Sequence, residues 1–156
     1  MKQRRSKVLF VCIGNSCRSP MAEAIAWKEA AVEIEASSAG LAPLGFVADM
    51  TTQTLVKNGY AVEGLASKPI SPEAWESADR VINMSGRARE FAFRSFRGHG
   101  KVEDWEIEDP YGDPKLYQGT LEEVRRRVLE LVQRMRKEFA ASGEGDGDAA
   151  GRLATS

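Results

Sequence analysis

The sequence contains very few of the residues that build metal sites and disulfide frameworks. Two cysteines and one histidine occur among its 156 residues. They cannot supply four ligands to a structural zinc ion without help from carboxylates, and a disulfide framework needs more cysteines. We therefore expect a protein of the reducing cytoplasm.

The sequence also lacks an excess of charge of one sign and any long apolar run. Its formal net charge of -1 gives no reason to expect nucleic acid or a membrane surface as the main partner. No apolar stretch approaches the length of a membrane span. The basic residues among the first seven precede an apolar run at 8–13 that is too short for a signal peptide. These absences predict a soluble, cytoplasmic protein without a nucleic-acid or membrane partner.

The residues that are present indicate an α/β fold. Short apolar, β-prone runs alternate with helical patterns, which is typical of a parallel sheet covered by helices. Strands are predicted at 8–11, 32–37, 80–84 and 101–105, and helices begin near residues 20, 50, 72, 87 and 120. We expect a single three-layer domain over residues 1–141, with a central four-stranded parallel twisted sheet and helices on both faces. Residues 142–156 have almost no apolar side chains and are predicted to form a disordered tail.

Several residue pairs predict where helices begin. Ser19-Pro20 and Ser71-Pro72 each place an N-cap residue before a proline at the first helical position. Thr120 and Glu123 have the spacing of a capping box for the last helix. The apolar face of that helix is predicted to comprise residues 121, 124, 128, 131, 135 and 139.

The turn between the first strand and the first helix is the chemically unusual part of the sequence. Residues 12–18 read CIGNSCR. A compact loop that runs into a helix directs several backbone N–H groups at one point and can bind an anion there. Gly14 and Asn15 tolerate the positive φ that such a loop needs, and Arg18 can hold two oxygens of a tetrahedral oxyanion. The loop is therefore a predicted phosphate site.

Cys12 lies at the start of this loop and is the candidate nucleophile. The N–H dipoles and Arg18 favour its thiolate, which could attack a bound phosphoryl group, and Ser19 could donate its hydroxyl to that thiolate. Three other interpretations stay open from the residues alone. They are a buried core cysteine, a metal site built on the C-x4-C spacing, and a nucleotide-phosphate loop, although both glycine patterns of such loops are absent.

The segment VCIGNSCRSPMAEA, residues 11–24, resembles the signature loop of the low-molecular-weight protein tyrosine phosphatases, C-x5-R-S followed by a P-M-A-E-type helix start. Ser38-Ala39-Gly40 is similar to the family's serine-alanine stretch after the second strand, and the resemblance runs from about Lys7 to Phe139. It implies that the loop binds phosphate or another tetrahedral oxyanion. The implied binding residues are Ile13, Gly14, Asn15, Ser16, Cys17 and Ser19.

Transfer of phosphate to a cysteine needs a general acid for the leaving oxygen. Asp109-Pro110-Tyr111 resembles the family's acid motif D-P-[YF]; Pro110 would hold Asp109 extended, and Tyr111 could supply an aromatic wall. The resemblance implies that Asp109 protonates the leaving group as Cys12 attacks, and then activates the water that hydrolyses the cysteinyl-phosphate. Since Arg18 and the loop N–H groups supply the positive field, no cofactor or metal is expected. The implied substrate is a phosphotyrosine protein or a small aryl phosphate.

The second loop cysteine and the cleft walls complete these expectations. In the resembled family the residue at Cys17 can form a reversible disulfide with the nucleophile. Ser85-Gly86 follows the third strand where many of these phosphatases have an acidic residue. The region 41–60 should form one lip of the cleft, but it contains Leu44, Gly45 and Phe46 and no aromatic pair.

Two alternative functions are compatible with this loop. Phosphatase-like arsenate reductases use an equivalent cysteine, and a form coupled to a small-molecule thiol needs only Cys12, whereas the thioredoxin-coupled form needs cysteines after Cys17 that this chain lacks. A non-enzymatic anion-binding domain is the other alternative, but it needs neither a thiol nor an acid.

One charged run is open to two interpretations. Arg87, Arg89 and Arg94 lie in the helix predicted over 87–96, and Arg97 directly follows it. They are interpreted as a solvated helix face, with the docking of acidic partners as the alternative.

Overall fold

The computed structural model describes residues 5–144, and its central element is a parallel sheet. The strands are β1 (Ser6–Cys12), β2 (Ile34–Gly40), β3 (Arg80–Asn83) and β4 (Val102–Asp104), in the order β2-β1-β3-β4. The central strand β1 is apolar from residue 8 onward and buried on both faces, which is typical of an inner strand of a parallel sheet. The predicted four-stranded parallel sheet is confirmed.

Helices cover both faces of this sheet and connect its strands. The α-helices are α1 (Arg18–Glu29), α2 (Asp49–Lys57), α3 (Pro72–Ser77), α4 (Arg89–Ala92) and α5 (Tyr117–Glu144). Short 3-10 helices span His99–Lys101 and Pro114–Leu116.

Successive side chains of β1 enter two different apolar clusters because strand side chains alternate between faces. Phe10 packs into the larger cluster with residues of α1 and α5. Leu9 and Val11 enter the smaller cluster, where the ring of Trp75 lies 5.2 Å from that of Phe93. The predicted three-layer arrangement is confirmed.

The sheet brings the ends of three strands together at one edge. Cys12 ends β1 and pairs with Gly40, the last residue of β2. Val11 pairs with Asn83, which ends β3. Ligands of such sheets bind outside the carboxyl ends of the strands, so this edge is where the candidate site is built.

The predicted helix starts are correct for α3 and wrong for α1. Ser71 caps α3, because its Oγ accepts a hydrogen bond from the N–H of Ala74 at 3.0 Å. At α1, however, the N-cap is Cys17, so Ser19 and Pro20 lie within the first turn. Ser19 does not cap the helix because its hydroxyl lies against the thiol of Cys12.

The last helix begins earlier than the sequence predicted. Because α5 starts at Tyr117, Thr120 and Glu123 lie inside the helix and form no capping box. Glu123 instead forms ion pairs with the guanidinium groups of Arg126 and Arg127. The apolar face is buried at residues 121, 124, 128 and 131, but Phe139 is 52% exposed. That last predicted core position is therefore wrong.

Two further boundaries differ from those predicted. The helix expected over 87–96 is reduced to the four residues of α4. Helix α5 continues to Glu144, past the predicted domain end at residue 141, and the rest of the predicted tail, 145–156, lies outside the described residues. Within residues 5–144, no helix is both long enough and apolar enough to cross a membrane.

Candidate active site

The loop between β1 and α1 is held by hydrogen bonds to its carbonyl groups. The carbonyls of residues 12, 13, 14 and 16 all point outward and accept backbone N–H groups of the segment that follows β2. The donors are Leu41, Ala42, Leu44 and Ala48, at 2.8 to 3.2 Å. Thr51 Oγ1 and Ser67 Oγ donate further hydrogen bonds to the carbonyls of Ser16 and Gly14. The conformation of the loop is therefore stabilised by hydrogen bonds from the surrounding segments to its carbonyl groups.

The backbone N–H groups of the same loop are left for a ligand. Within residues 5–144, the structure gives the N–H groups of residues 13–17 no protein acceptor. The loop runs directly into α1, whose first residue is Arg18. The positive end of the helix dipole and the free N–H groups together favour an anion.

Asn15 sets the shape of the loop. Its φ of 49° is the one positive φ of a non-glycine residue within the described chain, and its amide makes three hydrogen bonds. Nδ2 donates to Ser19 Oγ at 2.8 Å and to Ser38 Oγ at 3.0 Å, and Oδ1 accepts the N–H of Lys68 at 2.9 Å. These contacts fix the orientation of the amide beneath the loop.

The hydroxyl of Ser19 is placed to stabilise a thiolate at Cys12. Ser19 Oγ accepts from Asn15 and lies 3.0 Å from Cys12 Sγ. Since a thiolate has no proton to donate, Ser19 is the donor of this contact when Cys12 is ionised, and that hydrogen bond favours the thiolate. Cys12 is buried at the end of β1.

A buried carboxyl group ends the same network. Ser38 Oγ accepts from Asn15 and donates to Glu23 Oε1 at 2.6 Å. Burial raises the pKa of the Glu23 carboxyl above its ordinary value, opposed by the hydrogen bond from Ser38 and the charge of Lys68. The sequence analysis missed Glu23. Its position four residues after Ser19, on the same helix face, was an available signal.

Arg18 is buried, with one side of its guanidinium facing the protein. Nη1 donates to the carbonyls of Met84 at 2.7 Å and Ile107 at 3.3 Å, and Nη2 lies 3.4 Å from Asp109 Oδ2. Nε has no partner within the described residues. The Nε and Nη2 edge is therefore available for two oxygens of a tetrahedral anion.

Asp109 and Tyr111 come from the turn that follows β4 in the chain. Asp109 Oδ1 accepts the N–H of Tyr111 at 3.1 Å, which holds the carboxyl at the start of the turn. Its side chain is half exposed, and so is that of Tyr111.

These groups surround one cavity of about 160 Å³ at the sheet edge. It is lined by Cys12, Ile13, Gly14, Ser16, Cys17, Arg18, Ala42, Leu44, Asp109 and Tyr111. Of the predicted site residues, only Asn15 and Ser19 do not line it, since both lie in the network behind the loop. The sequence analysis missed Ala42. No three His, Cys, Asp or Glu side chains of residues 5–144 lie together as a metal ion would require.

Cys17 is a free thiol in the described structure, and so is Cys12. Cys17 Sγ lies 3.4 Å from the hydroxyl of Tyr117. Burial raises the pKa of the Cys17 thiol, against the hydrogen bonds from Thr51 and Tyr117 that lower it. Burial also raises the pKa of Tyr117. Both cysteines line one cavity, and the disulfide between them stays a prediction.

Comparison with known proteins connects this geometry to one family. Residues 7–141 match the family model described as low molecular weight phosphotyrosine protein phosphatase. A protein-arginine-phosphatase of Bacillus subtilis is 30% identical over 84% of this chain and 97% of its own. The low molecular weight protein-tyrosine-phosphatase YfkJ of Bacillus subtilis is 36% identical over 75% of this chain and 85% of its own. An arsenate reductase of Bacillus licheniformis is 32% identical over 90% of this chain and 99% of its own.

Solved structures show the same architecture. The YwlE arginine phosphatase of Geobacillus stearothermophilus superimposes with a TM-score of 0.78 at 24% identity, over 87% of this chain and 96% of that one. An arsenate reductase in the phosphate-binding state gives 0.71 at 30% identity, over 83% and 98%. A cysteine-to-serine mutant of YwlE with a phosphorylated active-site serine gives 0.74 at 28% identity, over 84% and 96%.

A first prediction concerns Gly40, which lies directly behind the loop. A Cβ atom there would lie 2.8 Å from the carbonyl oxygen of Ile13 and 2.9 Å from Cβ of Asn15. Since both contacts are with the loop itself, Gly40→Ala should displace it. We expect a free energy of unfolding lower by about 1–3 kcal/mol and loss of phosphate binding, measured by denaturation and by titration with inorganic phosphate. Gly100→Ala is the matched control, because a Cβ atom at Gly100 meets nothing within 4 Å. Equal effects of both substitutions would contradict this account.

A second prediction follows from Glu23. Because its pKa is raised in the folded protein, the unfolded chain loses this proton at lower pH than the folded one. The free energy of unfolding therefore falls as the pH rises from 4.5, the ordinary pKa of a glutamate, toward the raised pKa of the folded protein. The contribution of Glu23 to this fall is at most about 1.4 kcal/mol per pH unit. Glu23→Gln should remove that decline, measured by urea denaturation across the pH range. Substitution of the exposed Glu76 by Gln controls for loss of one carboxylate, and an unchanged slope in Glu23→Gln would refute the prediction.

Proposed function

The chain belongs to the low molecular weight phosphotyrosine protein phosphatase family, and from that premise we propose that it hydrolyses phosphorylated proteins through a phosphocysteine intermediate on Cys12. The observation that carries the proposal is the cavity in which Cys12, Arg18 and Asp109 meet above a loop of free N–H groups. We assign Cys12 as the nucleophile, Arg18 as the oxyanion clamp and Asp109 as the general acid and base.

The environment of Cys12 suits a nucleophile. The hydroxyl of Ser19 donates to the sulfur when Cys12 is a thiolate, and the helix terminus adds a favourable field. Cys12 is buried and lines the cavity beside the N–H groups that would bind phosphate oxygens. We place the phosphorus of an anion held by those groups against the sulfur, as in-line attack requires.

Arg18 and the loop N–H groups stabilise the charge of the transferring phosphoryl group. Nε of Arg18 has no partner within residues 5–144 and Nη2 lies beside Asp109, so this edge of the guanidinium matches two oxygens. Because Nη1 is held by two carbonyls, the guanidinium is oriented before the substrate arrives. Preorganised donors of this kind need little rearrangement during the reaction and lower the barrier.

The reaction has two balanced steps. In the first, a bond forms between Cys12 Sγ and phosphorus, the bond from phosphorus to the leaving oxygen breaks, and protonated Asp109 gives its proton to that oxygen. In the second, a water molecule gives a proton to Asp109 and attacks phosphorus. The phosphorus–sulfur bond then breaks, which releases inorganic phosphate and the thiolate.

The walls of the cavity support phosphotyrosine as the substrate residue, and small aryl phosphates as model substrates. Tyr111 is 51% exposed and Leu44 is 45% exposed. Both line the cavity, so a phenyl ring can lie between an aromatic and an aliphatic side chain. Asp109 also lines the cavity, where its carboxyl can reach the phenolic oxygen of a bound phosphotyrosine.

Phosphoarginine is a second candidate because of Ser16. Its Oγ is buried in the lining of the cavity and has no partner within the described residues. Such a hydroxyl can hydrogen-bond a guanidino N–H that a phenolic ester lacks. One relative is named a protein-arginine-phosphatase, which supports testing this substrate.

The same proposal assigns residues 1–141 to one catalytic domain and no catalytic role to residues 142–156. The family match over 7–141 supports that division. We place the protein in the cytoplasm, where a reducing environment keeps Cys12 and Cys17 as the free thiols that the mechanism needs.

The function is tested with four substrates: para-nitrophenyl phosphate, a phosphotyrosine peptide, a phosphoarginine peptide, and arsenate with a low-molecular-weight thiol. We expect metal-independent release of phosphate, retained in the presence of a chelator. Cys12→Ser should lower turnover by at least about 10⁴-fold, since it removes the thiolate, and should still bind inorganic phosphate through the loop. Thiol-dependent arsenite formation without phosphatase turnover would instead favour the reductase alternative, and Cys12→Ser with wild-type turnover would disprove the covalent mechanism.

The acid is tested with Asp109→Asn, which keeps an oxygen for the N–H of Tyr111 but cannot donate the proton. Because poor leaving groups need protonation most, we expect turnover to fall about 10²- to 10⁴-fold for phenyl phosphate and far less for para-nitrophenyl phosphate. Glu108→Gln is the matched control, since it removes the neighbouring exposed carboxylate. An equal loss with both leaving groups would exclude Asp109 as the acid.

A further inference from the structure

A second, larger concavity lies beside the catalytic cavity. It has a volume of about 440 Å³ and shares Ile13 and Ala42 with the catalytic cavity as lining residues. Ile70 lines one side, and residues of the segment 87–96 line the other. We name it the Arg87–Arg94 groove. A chain bound in the catalytic cavity can continue into this groove past Ile13.

The charge of the groove is positive and uncompensated. Arg87 and Arg94 line it, and no described lining residue is acidic. Both arginines are exposed, and neither forms an ion pair within residues 5–144. Arg89, between them in the sequence, does not line the groove and is bound to Asp104 at 2.9 Å. The same segment thus has one neutralised arginine and two whose charge faces the groove.

An exposed aromatic ring holds the two guanidinium groups in place. The Arg94 guanidinium lies 4.4 Å from the ring centroid of Phe91, and that of Arg87 lies 6.0 Å from it. Arg94 Nη1 also donates to the carbonyl of Phe91 at 2.8 Å. Phe91 is 51% exposed and offers an apolar contact between the charges. Guanidinium groups held in this way lose less conformational freedom on binding a carboxylate.

The groove is anchored to the sheet edge that carries the catalytic loop. Asn83, the last residue of β3, donates through Nδ2 to the carbonyl of Arg87 at 2.8 Å. The N–H of Arg87 donates to Ser85 Oγ at 3.1 Å, and that hydroxyl donates to Asn83 Oδ1. Met84 lies between Asn83 and Ser85, and its carbonyl accepts a hydrogen bond from the guanidinium of Arg18. The end of β3 therefore positions both the groove and Arg18.

We infer that the Arg87–Arg94 groove binds acidic residues of a protein substrate that lie next to its phosphorylated residue. This inference deepens the proposed function and depends on it. An extended chain advances about 3.3–3.4 Å per residue, so carboxylates within a few positions of the phosphorylated residue reach Arg87 and Arg94. An apolar side chain of the substrate packs against Phe91 and Ile70.

The experiment compares two phosphotyrosine peptides that differ only in their flanking residues, Asp and Glu in one and Asn and Gln in the other. The wild-type protein should show a kcat/KM about 3- to 20-fold higher for the acidic peptide, the gain expected from two exposed ion pairs. The double variant Arg87→Ala/Arg94→Ala should bring the ratio close to one. Arg87→Glu/Arg94→Glu should reverse the preference, a result that misfolding cannot produce. Higher ionic strength should reduce the wild-type ratio.

Arg97→Ala is the matched control, because Arg97 is an exposed arginine of the same segment that does not line the groove; it should keep the wild-type ratio. If the wild-type protein hydrolyses both peptides equally, or if Arg87→Ala/Arg94→Ala keeps the preference, the groove inference is wrong and the proposed function stands. If the wild-type protein hydrolyses neither peptide and no para-nitrophenyl phosphate, the proposed function fails and the inference fails with it.

Discussion

The catalytic loop depends on the left-handed backbone of Asn15 and on the hydrogen bonds that hold its amide. A positive φ in a residue other than glycine is uncommon and has an energetic cost. Three hydrogen bonds of its amide offset that cost: Nδ2 donates to Ser19 Oγ and Ser38 Oγ, and Oδ1 accepts the N–H of Lys68. The bend at Asn15 turns the loop carbonyls outward, where they accept backbone N–H groups of the segment after β2. The N–H groups of the loop are left for the proposed phosphate. The same amide binds Ser19 Oγ, the hydroxyl that contacts Cys12, so the shape of the loop and the position of that hydroxyl share one structural cause.

Arg18 places a permanent charge in the interior, where a charge is stable only if it is well paired. Two backbone carbonyls and Asp109 supply part of that pairing, and the free Nε leaves the rest for the substrate. These partners are Met84, directly after β3, and Ile107 and Asp109, which follow β4. The guanidinium therefore holds together the parts of the chain that must act at once. In the proposed mechanism a phosphate dianion completes the pairing, so that substrate binding and stabilisation of the site are the same interaction.

The parts of the site that are local in sequence could be predicted, and the parts that depend on packing could not. Cys12 and Arg18 lie in one loop, and Asp109 lies in a turn with its own sequence pattern. By contrast, the bond between Ser38 and Glu23 and the close approach of Gly40 to Ile13 require the pairing of β1 with β2. The capping box at Thr120 failed for a related reason. The chain already turns in the 3-10 helix Pro114–Leu116, where the N–H of Lys115 donates to Asp113 Oδ1, and α5 continues from it.

Arginines of one sequence run differ in their contacts because their surroundings differ. From the sequence, Arg87, Arg89, Arg94 and Arg97 could only be treated alike, as a charged helix face. The structure separates them, because Asp104 neutralises Arg89 while Phe91 holds Arg87 and Arg94 beside the groove. Exposed charges are screened by solvent, so they affect which partner binds, and how fast, more than they stabilise a transition state. A buried guanidinium such as that of Arg18 has the opposite balance. This difference in burial supports the proposal that Arg18 acts on phosphate and that Arg87 and Arg94 select the chain that carries it.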